Sequence, residues 1–124
     1  MILLVDDDKA ILNVQIQLLS NFGFKVEAHT CPQQALQQFK AQPQAYQAIL
    51  TDYCMPTMDG VTLIASIHAI RPDLKAILYS GMLPSDIPKH IIALSKPTRM
   101  KQLVEILQAG QSTNKLEQVS QAVA

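Results

Sequence analysis

The chain has 124 residues, 48% of them hydrophobic, and ten basic side chains balance ten acidic ones. That size and composition suit one globular domain with a sizeable core. The zero net charge gives no bulk electrostatic reason to expect nucleic acid or an acidic membrane as main partner, and no apolar run nears the roughly 20 residues of a membrane span.

In chain order, short apolar runs alternate with helical patterns. Ile2-Leu3-Leu4-Val5 reads as a buried strand, too short and too uniformly apolar for a surface helix. Over residues 8–22 the positions Ile11, Leu12, Ile16, Leu18, Leu19 and Phe22 form one helical stripe, closed by Gly23. Residues 24–29 read as a second strand. Cys31-Pro32 opens a second helix carrying Ala35, Leu36 and Phe39, with proline in the first turn where its missing N–H costs nothing. Residues 48–52 make a third strand ending in Asp52, and the Pro56- and Gly60-containing stretch 53–60 is a loop. A third helix spans 61–70, stopped by Pro72. Residues 75–79 and 91–95 supply the fourth and fifth strands. Thr98 caps a last helix with Met100, Leu103, Val104 and Leu107 at i, i+3, i+4, i+7. Residues 1–109 thus form one domain, and 110–124 read as a polar tail or the start of a linker.

Alternating strands and helices predict a doubly wound α/β fold: a five-stranded parallel sheet of flavodoxin-like order 2-1-3-4-5. Cys31 and Cys54 lack metal-ligand spacing, and the start of the chain lacks a signal-peptide layout. Both point to reduced thiols and a cytoplasmic setting.

In such sheets ligands bind beyond the carboxyl ends of the strands, where the strand order reverses. The strand ends deliver Asp6 and Asp7, Asp52, Ser80 and Lys96 from four separate segments. Two carboxylates about 4 Å apart repel by about 4 kcal/mol at an effective dielectric near 20. A hard divalent cation removes that conflict, and Mg²⁺ favours one or two carboxylates plus waters and phosphate oxygens. Carboxylates also act as nucleophiles that form aspartyl-phosphates, while an amine and a hydroxyl can hold phosphoryl oxygens. The chemistry suggested is phosphoryl transfer to an aspartate.

Here the sequence resembles the receiver domains of two-component response regulators, typified by the single-domain chemotaxis regulator. The resemblance covers about residues 2–108. It rests on Asp6-Asp7 after the first strand, the run from Asp52 through Met55-Pro56 to Asp59-Gly60, Ser80-Gly81, and Lys96-Pro97. It implies that Asp52 is the phosphoacceptor, Asp7 a direct Mg²⁺ ligand (Mn²⁺ being an alternative ion), and Asp6 a ligand acting mainly through water. It further implies that the Cys54 backbone carbonyl completes the metal shell and that Ser80 engages the phosphoryl oxygens. Lys96 would pair with Asp52 before phosphorylation and with the phosphoryl group after it. Pro97 resembles the proline whose cis peptide aims the lysine, and Gly81 follows the hydroxyl residue at the site. The implied partner is a histidine kinase or a histidine phosphotransfer domain, and the only catalysis is the domain's own phosphorylation and dephosphorylation.

Other residues have plainer readings. Asp8 starts the first helix, and Asp59-Gly60 forms a turn before the third. Met55 and Met58 pack. His29, His68 and His90 share no ligand spacing.

The chain departs from the family pattern twice. Ala93 stands three residues before Lys96, where the family usually has a tyrosine or phenylalanine that swings inward; Tyr79 is a candidate substitute. The segment between the fourth and fifth strands is short and holds Pro84 and Pro88, so the helix usual there is predicted to be reduced or absent. Shortened receivers of this kind suggest a hybrid sensor histidine kinase, with a single-domain regulator as the other setting. A degenerate receiver, binding partners independently of phosphorylation, is the competing function. Asp6-x-Asp8 also matches a haloacid-dehalogenase-type phosphatase motif, but Ala10 and the missing room for a cap domain argue against it.

Overall fold

The computed structural model describes residues 1–96 and 100–109. Five strands, β1 (Ile2–Val5), β2 (Val26–His29), β3 (Ala48–Thr51), β4 (Lys75–Ser80) and β5 (Ile92–Ser95), alternate with four helices. These are α1 (Lys9–Asn21), α2 (Pro32–Ala41), α3 (Gly60–Ile70) and α4 (Met100–Ala109). The sheet is parallel throughout, in the order β2-β1-β3-β4-β5.

Both faces are covered, which is why the central strands carry apolar residues without alternation. Leu3, Val5, Ile49, Ala76 and Leu78 point to the face packed by Ala35 and Phe39 of α2 and by Leu63, Ile64 and Ile67 of α3. Ile2, Leu4, Ala48, Leu50 and Ile77 point the other way, onto Leu12 and Leu19 of α1 and Leu103, Val104 and Leu107 of α4. The period-2 geometry of a strand sorts one apolar run into two cores.

The predicted element order holds, with adjusted boundaries. β2 begins at Val26, two residues later than predicted. Gly23 adopts φ +90° and the Phe24 N–H still donates to the Leu19 carbonyl, so the α1 C-terminus uses the groups a longer strand would need. A 3-10 turn also forms at Pro43–Ala45, which the apolar periodicity does not signal. No helix joins β4 to β5, as the paired prolines predict. Residues 81–91 cross as turns, Leu83 and Ile87 pack against the core, and the buried Ile91 donates its N–H to the Pro88 carbonyl. Thr98, Pro97 and the 110–124 tail lie outside the described residues. Among the described residues no helix is long and apolar enough to cross a membrane.

Candidate functional site

Register brings the predicted residues to one edge. Val5 of β1 pairs with Thr51 of β3, so the next residues, Asp6 and Asp52, leave the sheet side by side; the Asp52 N–H donates to the Val5 carbonyl at 2.9 Å. Ser80 pairs with Ser95, and the Lys96 N–H donates to the Ser80 carbonyl at 3.0 Å. One carboxylate oxygen from each of Asp6, Asp7 and Asp52 lies within 4.8 Å of the others.

The three acids are not equivalent. Asp6 is buried, accepting from the Asp8 N–H at 2.9 Å through Oδ1 and from Lys96 Nζ at 2.9 Å through Oδ2. Burial raises its pKa above the ordinary value, the Asp8 N–H and the Lys96 ammonium oppose that, and the charge of Asp52 adds to it. Asp7 is exposed, and Asp52 is half-buried with Oδ1 accepting from the Tyr53 N–H at 2.8 Å. Asp8 stands apart from the set. It caps α1, its side chain accepting from the Ala10 and Ile11 N–H groups.

The resemblance implies a Lys96–Asp52 pair, but Lys96 pairs with Asp6 instead. The reason is burial: the more desolvated carboxylate costs more if left without a counter-ion, whereas Asp52 reaches both solvent and a backbone donor. The Lys96 ammonium also lies 5.5 Å from the centroid of the Tyr79 ring. Ser80 is buried, its Oγ accepting from the Met82 N–H at 3.3 Å. Cys54 is an exposed free thiol two residues past Asp52.

The donor set fits a hard cation. With Mg²⁺–oxygen bonds of about 2.0–2.1 Å, opposite ligands of an octahedron stand roughly 4.2 Å apart. Three carboxylate oxygens within 4.8 Å approach that spacing, with a small inward turn or a water on one arm making up the rest.

Gly60 is more than a turn element, a role that no local sequence signal carries: it opens α3 directly behind Asp52, where a Cβ would collide with the Asp52 carbonyl oxygen and stand 2.7 Å from Leu78 Cδ1. Its N–H also donates to the Tyr53 carbonyl at 2.8 Å, clamping the two ends of the loop. By contrast, a Cβ at Gly81 would meet nothing within 4 Å. Asp59 caps α3 by accepting from the Thr62 N–H. Thr57 holds φ +70°, rare for a β-branched residue, and its hydroxyl accepts from Gln33 Nε2 at 2.7 Å, tying the loop to α2. The histidines take no part: His29 pairs with Glu27, and the His68 and His90 rings lie 5.0 Å apart, His68 bonding the Leu74 carbonyl just before β4.

The chain is similar to known proteins along most of its length. The family described as "Response regulator receiver domain" matches residues 2–108. The response regulator receiver protein CpdR of Brucella abortus (strain 2308) is 31% identical over 109 residues, covering 83% of this chain and 89% of that protein. Sensor kinase CckA of the same strain is 29% identical over 108 residues, covering 82% of this chain but 11% of the kinase. A solved signal receiver domain of an HD domain-containing protein from Pseudomonas fluorescens Pf-5 is 30% identical, with a TM-score of 0.76 over 88% of this chain and 91% of that one.

Proposed function

Because the chain belongs to the response regulator receiver domain family, we propose that Asp52 accepts a phosphoryl group from a phosphohistidine donor within a two-component phosphorelay. The observation that carries this reading is the meeting of three carboxylates with one ammonium at a single sheet edge. Of the three acids, Asp52 is the one that combines partial exposure with a fixed orientation, through the Tyr53 N–H.

Asp6, Asp7 and Asp52, with the Cys54 backbone carbonyl, would hold Mg²⁺ or Mn²⁺; when bound, the ion neutralises charge on the transferred group. The chain's own residues do the remainder. An Asp52 carboxylate oxygen attacks phosphorus, the P–N bond to the donor imidazole breaks, and an acyl phosphate forms. The Lys96 ammonium leaves Asp6 and pairs with a phosphoryl oxygen, and the Ser80 hydroxyl turns from the Met82 N–H to donate to another. Hydrolysis of the acyl phosphate resets the domain.

The partner in this reading is a histidine kinase or phosphotransfer domain. The domain acts in the cytoplasm, contacts no nucleic acid itself, and catalyses no reaction beyond its own phosphorylation and dephosphorylation. The chain spans most of one relative and a small fraction of another, a sensor kinase, so a single-domain regulator and the receiver of a hybrid kinase are both consistent settings. Incubation with acetyl phosphate and Mg²⁺ adds the mass of one phosphoryl group on this reading, and Asp52→Asn or EDTA abolishes the addition. An unmodified wild-type mass would overturn it.

A further inference from the structure

Lys96 has a neighbour that the proposed chemistry leaves without a task. Its ammonium lies 2.9 Å from Asp6 Oδ2 and over the Tyr79 ring, 5.5 Å from the centroid. Strand geometry accounts for the meeting. Tyr79 pairs with Leu94 across β4 and β5, and Lys96 lies two residues beyond Leu94, on the same face by the two-residue alternation of a strand. Tyr79 and Lys96 are thus diagonal cross-strand neighbours, within reach for an aromatic and a long side chain. Ala93 pairs with Leu78 and so belongs to the opposite face. The aromatic group is absent from the position three residues before the lysine and present instead on the lysine's own face.

We propose that Tyr79 is the positioning residue of Lys96: its ring retains the ammonium at the site while the ammonium changes partner from Asp6 to the phosphoryl oxygens on Asp52. This rests on the function proposed above. An ammonium freed from a carboxylate is drawn to bulk water, since its stem is flexible and its head strongly hydrated. A ring face within about 6 Å opposes that loss electrostatically, and the lysine side chain is only 19% exposed, which limits screening. Cation–π attraction of this kind is worth about 0.5–2 kcal/mol, or about 2- to 30-fold in the population of correctly placed lysine.

Two measurements test the proposal. In the metal-free protein, NMR resonances of the Lys96 ε-methylene protons are displaced upfield by the ring current in the wild type and in Tyr79→Phe, and return to ordinary values in Tyr79→Leu. With acetyl phosphate at saturating Mg²⁺, Tyr79→Leu is phosphorylated about 2- to 30-fold more slowly, and Tyr79→Phe, which keeps the ring, is faster than Tyr79→Leu. In a Lys96→Met background, Tyr79→Leu causes no further loss. A ring-current displacement missing from the wild type overturns the proposal. So does an equal loss from Tyr79→Leu with and without Lys96, which would mean that the ring acts by packing, or a Tyr79→Phe variant as slow as Tyr79→Leu. A wild type that is never phosphorylated overturns the function itself and the task assigned to Tyr79, while the NMR arm still reports the contact.

Discussion

Lys96 and Gly60 show how single residues set this site. The lysine was legible as a phosphoryl-binding group, yet its resting partner was not, because two acids of the same type compete for it. Burial settles the competition in favour of Asp6, a quantity that no local pattern carries. Gly60 was legible as a turn residue, but its closeness to the Asp52 carbonyl depends on how α3 docks behind β3. Gly60→Ala forces the loop or the β3 end to shift. Overpacking of that kind costs about 1–3 kcal/mol, measured by urea unfolding. Because Asp52 itself is displaced, phosphorylation by acetyl phosphate slows as well. Unchanged stability and rate would show that the loop has room the close approach denies.

Among the elements, α1 separates two uses of one acidic run. Asp8 caps the helix, while Asp6 and Asp7 face the site. Asp8→Ala accordingly lowers stability by about 1 kcal/mol, a Tm loss of about 4 °C for a domain of this size, and leaves Mg²⁺ affinity unchanged. Thermal unfolding with and without Mg²⁺ checks both parts, and a large fall in affinity would return Asp8 to the metal site. The β4–β5 crossing was legible for a different reason. Pro84 and Pro88 sit too close together for a helix between them, and the segment instead lays Leu83 and Ile87 on the core. The late start of β2 was not legible, since β propensity in residues 24–29 was outweighed by hydrogen bonds closing the α1 C-terminus.

For the whole molecule, the site is a stability cost that ligand binding can offset. The pKa of folded Asp6 lies above its unfolded value of 3.8, chiefly through burial. Between those two values the folded state binds more protons than the unfolded one, so the Asp6 contribution to stability falls as pH rises through that window. Asp6→Asn has no proton to lose there. The unfolding free energy of the metal-free wild type minus that of Asp6→Asn therefore decreases as pH is raised from below 3.8 through the window. Urea titrations in EDTA at stepped pH measure the difference, and a flat or rising one contradicts the burial argument. Glu27 shows the opposite balance: burial raises its pKa, but hydrogen bonds from Tyr46 and His29 outweigh that and lower it. The subtraction between variants removes its contribution.

The sequence by itself determined the element types, the parallel order of the sheet and the four segments whose ends carry chemistry. The elements and segments follow from the spacing of apolar residues, from capping chemistry and from proline, all of which act over a few residues, and the sheet order from the right-handed crossovers that β-α alternation imposes. Only the tertiary structure decided which carboxylate holds Lys96, which glycine the site needs for space and where an aromatic ring meets the lysine. Each of these depends on strand register and depth of burial, and both are set by packing between segments far apart in the chain.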